Sequence, residues 1–238
     1  GRIVGNADTV VSVTVEAGKI ASVGDATDQV DLGGEDVWIS PAIFDIQING
    51  AGGIGYNAED LSVEDVIRSC EWPHKAGTGL FCPTVTTSPV GQTIRSLEIL
   101  AQACEQSKRA AATLQGIHME GPYISSEDGP RGAHPVEHTK DPDWEEFCKF
   151  QEAAGGRIRI LTLAPEREGS LPFIEKAAAS GVVISIGHTG ASRERVREAI
   201  AAGAKLSTHL GNGAHAQLPR HDNYIWEQLA ADELWAGL

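Results

Sequence analysis

Several features that would mark a protein class are missing from this 238-residue sequence. No apolar run reaches the roughly 20 residues that a bilayer-crossing helix needs, which argues against a membrane span. No basic stripe is present: 33 acidic residues outnumber 19 basic ones, for a net charge of −14. Duplex-binding surfaces work by displacing counterions with clustered cations, so nucleic acid is not the expected partner. The four cysteines, Cys70, Cys82, Cys104 and Cys148, form no CxxC pair. Reduced core thiols in a cytoplasmic protein are therefore expected. Glycines cluster in "NGAGGIG" (49–55), but without the GxGxxG spacing of a dinucleotide turn. No signal peptide is visible. The sequence starts at Gly1 and its only methionine is Met119, which leaves a removed targeting segment open.

What is present is a change of rhythm. Residues 2–39 hold short alternating runs, with Val11, Val13 and Val15 set against Ser12, Thr14 and Glu16, and with Gly18, Gly24 and Gly33–Gly34 as punctuation. That pattern predicts a small antiparallel β module over 1–40. From Pro41 strand-like and helix-like stretches alternate. Strands are expected at 42–50, 79–88, 114–120, 157–166, 182–190 and 204–212, with helices over 62–76, 91–106, 143–153, 170–179, 191–202 and from Tyr224 onward. "LWAGL" then reads as the start of a seventh strand. Repeated βα units imply parallel strands with covering helices, in a (β/α)₈ barrel or a doubly wound sheet. The missing dinucleotide turn favours the barrel, and so do polar residues at the carboxyl ends of several strands, where barrel sites gather.

Three of those strand ends carry ligand-type side chains. Glu120 closes the third strand, His188 the fifth and His209 the sixth. His118 lies two residues before Glu120 and shares its face. In a barrel, Glu120, His188 and His209 would point to one mouth. One carboxylate and two imidazoles suit zinc or another divalent transition metal, with a position left for water.

At this point the sequence resembles a family. "HMEGPYIS", "GAHP" (132–135), "LAPE" (163–166), "GHTGAS" (187–192), "STHLGNGAH" (207–215) and "PAIFDIQINGAGG" (41–53) are similar, in order, to the motif series of N-acetylglucosamine-6-phosphate deacetylases of the amidohydrolase superfamily. The resemblance implies a (β/α)₈ barrel over 41–238 with a small β-sandwich module over 1–40. It implies one divalent ion, zinc first and iron second, held by Glu120, His188 and His209. The HxH pair that many amidohydrolases use for a second metal is replaced by Gln47 and Asn49. The resemblance places His134 near the acyl group and Asn212 and Gly213 at the sugar phosphate. Arg220 would reach the phosphate from the neighbouring subunit of a homodimer, a local cation within an acidic protein. Where the family has a bulkier "NAM"-like stretch this sequence reads "NGAHA", and His215 and His221 are extra.

The implied activity is hydrolysis of the acetamide of N-acetylglucosamine 6-phosphate in amino sugar catabolism, with Glu120 and His134 among the catalytic groups. The family's general-base aspartate closes an eighth strand and has no counterpart here. Asp222 and Asp232 follow no strand-like run. A barrel of six strands plus the start of a seventh would leave two open edges, so the sequence is expected to be an incomplete record of a longer protein. Two alternatives are a catalytically silent barrel that binds metal and sugar phosphate, if 238 residues is the true length, and an amidohydrolase for another N-acetylated sugar phosphate.

Overall fold

The computed structural model describes residues 1–238, Ala7 through its backbone alone. The chain divides into two compact units, Gly1–Ile43 and Phe44–Leu238.

The amino-terminal unit is built on one four-stranded sheet in the order β3-β2-β1-β4, from β1 (Arg2–Ile3), β2 (Asn6–Glu16), β3 (Lys19–Asp25) and β4 (Trp38–Ile39). Strands β1, β2 and β3 pair antiparallel, as the alternation predicts, whereas β4 joins β1 parallel. A second sheet facing it, which a sandwich would require, is not seen among the described residues. Accordingly Val15, Ile20 and Val23 are exposed rather than half-buried.

The larger unit holds a seven-stranded sheet in the order β13-β12-β11-β10-β9-β8-β5. Its strands are β5 (Ile43–Ile48), β8 (Thr78–Thr86), β9 (Ile117–Glu120), β10 (Ile158–Leu163), β11 (Val183–Ile186), β12 (Ala204–Ser207) and β13 (Trp235–Ala236). From β8 to β13 neighbouring strands run parallel. A short hairpin of β6 (Gly50–Ala51) and β7 (Ile54–Gly55) follows β5. Eight helices lie between strands among the described residues: α1 (Val63–Ser69), α2 (Glu71–Lys75), α3 (Val90–Gln106), α4 (Lys108–Thr113), α5 (Trp144–Ala153), α6 (Ser170–Ala179), α7 (Arg193–Ala202) and α8 (Tyr224–Leu229).

Parallel strands covered on one face by helices read as near-continuous apolar runs, and the two faces separate by alternation. Met119 of β9, Leu161 and Leu163 of β10 and Ile184 and Ile186 of β11 enter the main core with Leu97 and Leu100 of α3, Phe147 and Phe150 of α5 and Phe173 of α6. On the other face Cys82, Ile160 and Leu206 form a small separate cluster with Ile46. Above it sit buried polar side chains, Glu120 among them. The register between β9 and β10 slips between Ile158 and Ile160, which returns Ile158 to the helix-covered core while Ile160 and Thr162 face inward.

Candidate metal centre

Three of the strands each deliver one side chain to the sheet's carboxyl end. Glu120 is the last residue of β9 and is 3% exposed. His188 follows β11 and is 7% exposed; His209 follows β12 and is half-buried. Both histidines leave their strands in the left-handed region, at φ 50 and φ 29. Among the described non-glycine residues only Ala17 shares that conformation, and such backbone strain concentrates at functional sites. The Ser125 amide donates to the His188 carbonyl (3.0 Å) and helps hold that bend.

The three side chains meet. Nε2 of His188 is 3.0 Å and Nε2 of His209 2.8 Å from the same Glu120 oxygen, and the two nitrogens are 3.1 Å apart. His134, from the loop after β9, adds a fourth group: its Nε2 is 3.3 Å from His188 Nε2 and its Nδ1 2.8 Å from the Thr87 hydroxyl. One ligand atom each from Glu120, His134 and His188 lies within 4.8 Å of the others. This trio has His134 where the sequence reading has His209, whose Nε2 is 2.8 Å from the Glu120 oxygen.

The donor chemistry asks for a cation. The Pro130 carbonyl accepts from His188 Nδ1 (3.0 Å), so that nitrogen carries the proton. In neutral His188 the Nε2 is then a bare lone pair, aimed at a carboxylate oxygen. Two acceptors at 3.0 Å repel unless a proton or a metal ion lies between them, and a carbonyl fixing the tautomer is the outer partner that metal-bound imidazoles usually have. Ligand atoms about 2.1 Å from a tetrahedral ion stand about 3.4 Å apart, close to the separations seen. These residues fit a divalent metal.

Titration behaviour follows from the same crowding. Burial alone would raise the Glu120 carboxyl, but contacts with His188 and His209 reverse this and hold it below the usual carboxylate range. Burial disfavours the charged form of His209, yet the Glu120 carboxylate overrides it and raises the imidazole. His134 is pushed down to about 4 by burial and by the neighbouring His188.

A cavity of about 440 Å³ opens above the cluster, within the range of small-ligand sites. Its walls include Glu120, His134, His188 and His209, together with Gln47, Asn49, Asn212 and Gly213. Gly213, at φ +60, lies so close to His188 that a Cβ there would stand 2.6 Å from Nδ1. Arg220 is exposed and does not line this cavity; its carbonyl accepts from Trp226 Nε1. His215 is held by the Tyr224 hydroxyl (2.9 Å) and Glu127 (3.0 Å), and His221 is exposed. Asp222 faces Arg193 and Asp232 is exposed, and neither borders the cavity. Sequence reasoning missed Thr87 and the Pro130 carbonyl, whose roles come from loop geometry and leave no spacing signal.

The fold and this cluster define a class: an α/β protein with a parallel half-barrel sheet and a metal-competent centre at its strand ends. No protein-family model matches the chain. Over 223 residues it is 35% identical to the N-acetylglucosamine-6-phosphate deacetylase of Bos taurus, covering 89% of this chain and 51% of the relative. It is 32% identical over 196 residues to the N-acetylgalactosamine-6-phosphate deacetylase of Shewanella sp. (strain ANA-3), covering 82% and 48%. A solved structure of a mutant N-acetyl-D-glucosamine-6-phosphate deacetylase from Mycobacterium smegmatis, in complex with N-acetyl-D-glucosamine-6-phosphate, matches with a TM-score of 0.78 at 26% identity, over 94% of this chain and 57% of that one. The chain belongs to the N-acetylglucosamine-6-phosphate deacetylase family, within the amidohydrolase superfamily. It spans about half the length of the curated relatives it matches.

Proposed function

We propose that the protein hydrolyses the acetamide of N-acetylglucosamine 6-phosphate to glucosamine 6-phosphate and acetate. The observation that carries this reading is the meeting of Glu120, His188 and His209 within 3.1 Å at one cavity, in a chain 35% identical to a deacetylase of that name. The parallel sheet is read as the larger part of a (β/α)₈ barrel, and the amino-terminal sheet as part of a small β-sandwich. Both readings rest on the likeness to the solved deacetylases.

Glu120, His188 and His209 would hold the ion, zinc in first place and iron in second. When bound, such an ion polarises the acetamide carbonyl and acidifies a water. The chain's own residues do the rest of what is proposed here. His134 is neutral near pH 7. Its Nδ1 is held 2.8 Å from the Thr87 hydroxyl, and the ring lines the cavity, where it is assigned to the acyl group. Gln47 and Asn49 offer amides where a second metal would need imidazoles, so one ion is expected. Asn212 and Gly213, at the cavity wall, are assigned to the sugar phosphate. The exposed position of Arg220 fits a phosphate contact made across a homodimer. The four cysteines are free thiols, which suits a cytoplasmic setting.

Acetate release from N-acetylglucosamine 6-phosphate and from its galactosamine epimer tests the assignment. Release from the glucosamine epimer is expected with the full-length protein, and Glu120→Gln should lower it by at least about 10³-fold, because the amide removes the charge that holds the ion. Equal rates for wild type and variant, or no release from either epimer, would overturn the proposal.

A further inference from the structure

Beneath the candidate centre, four buried polar side chains from successive strands touch in a line. His118 of β9, Thr162 of β10, Ser185 of β11 and Thr208 just past β12 are each at most 4% exposed. His118 Nδ1 is 2.9 Å from the Ile46 carbonyl, and its Nε2 is 2.6 Å from the Thr162 hydroxyl. The Thr162 and Thr208 hydroxyls are 2.6 Å apart, as are those of Thr208 and Ser185.

One carbonyl sets the direction of the whole line. The Ile46 oxygen can only accept, so His118 carries its proton on Nδ1 and accepts at Nε2. Thr162 must then donate to His118 and accept from Thr208, which in turn accepts from Ser185. Each of the three linking groups donates once and accepts once, so no hydrogen is stranded. That is the condition under which a buried polar network rigidifies its surroundings. The members stand beside the cluster: His118 two residues before Glu120, Ser185 three before His188 and Thr208 one before His209. Thr162 pairs in register with Glu120. Gly187 closes over the line, since a Cβ there would lie 2.8 Å from the Thr162 methyl and 2.9 Å from Thr208.

We infer that the one-way chain Ser185–Thr208–Thr162–His118–Ile46 is a positioning device that sets the strand ends of Glu120, His188 and His209 for the ion. The inference rests on the metal-centre reading and goes beyond it, because none of these residues belongs to the Glu120–His188–His209 cluster or lines its cavity.

Imidazole ¹H–¹⁵N correlation spectra of the full chain test the direction. His118 is expected as the Nδ1–H tautomer; an Nε2–H tautomer or an imidazolium near pH 7 overturns the inference. Zinc affinity, measured by competition with a chelating dye, tests the positioning. Thr162→Val should weaken binding about 10-fold or more, the usual range for outer-shell losses, and Thr162→Ser should restore it to within about 3-fold. A merely structural threonine would lower the unfolding midpoint and leave zinc affinity unchanged, which overturns the inference. Should Thr162→Val not fold, Ser185→Ala strands no hydrogen and should move the His118 Nδ1–H resonance through the chain; an unmoved resonance overturns it. A wild-type chain that binds no zinc overturns the metal-centre reading itself, and is told apart from a wild type and a Thr162→Val variant that bind equally.

Discussion

Gly213 shows how tightly one residue can be fitted to the centre. Its φ of +60 favours glycine, and a Cβ would press on the His188 ring that the Pro130 carbonyl orients. Gly213→Ala should therefore displace the imidazole and weaken zinc binding by about 10-fold or more. Gly211 is the matching control. It is also left-handed, at φ +89, but no neighbour lies within 4 Å of its Cβ position, so Gly211→Ala should carry backbone strain and leave zinc affinity near wild type. Dye competition on both variants checks this, and equal losses would count against the steric account. The sequence marks the position as a sugar-phosphate contact implied by the family resemblance and as a departure, "NGAHA" in place of the family's bulkier stretch; the closeness to His188 appears only in three dimensions.

Among the elements, the helix starts were the most legible. Ser62 caps α1 by accepting from the Asp65 amide, and Asp65 returns a bond to the Ser62 amide (3.2 Å each). Ser62→Ala should lower stability by about 1 kcal/mol, seen as a lower urea midpoint with unchanged slope. Asp143, Ser192 and Asn223 do the same for α5, α7 and α8. The helices expected over 143–153, 170–179 and 191–202 begin within two residues of α5, α6 and α7; side-chain caps mark the first and third, whereas α6 starts after Gly169 without one. The helix expected over 62–76 is split at Cys70 into α1 and α2. Helix α4, "KRAAAT", was not anticipated, since six residues carry no apolar stripe. Strand ends were less legible: β11 and β12 stop at Ile186 and Ser207, several residues before their apolar or glycine-rich runs do. The runs continue because the chain turns left-handed at His188 and His209, a bend invisible to periodicity. Glu120, His188 and His209 could be picked out as strand-end residues, whereas His134 came only from the family motif, because it reaches the cavity from a long loop.

For the whole molecule, acidity meets a set of buried neutral imidazoles. Burial lowers His118 to about 4, as it does His134. The unfolded chain would bind protons at these positions near pH 6.5. Between about pH 6.5 and 4 the unfolded state thus holds more protons than the native state, and stability must fall as pH falls through that window. Below both values the contribution is gone. For His118 the loss is of order 3 kcal/mol. Urea midpoints taken from pH 7 to pH 4 should decline in wild type, and more shallowly in His134→Asn; a flat profile would contradict the burial of neutral histidines.

The central claim is that one carboxylate and two imidazoles from three distant strands share a single cation. Anomalous X-ray scattering from crystals grown with zinc tests it directly. The account predicts one strong peak bonded to Glu120, His188 and His209, at about 2.0–2.2 Å from each ligand atom. A peak bound elsewhere, or none at these three side chains, would contradict it.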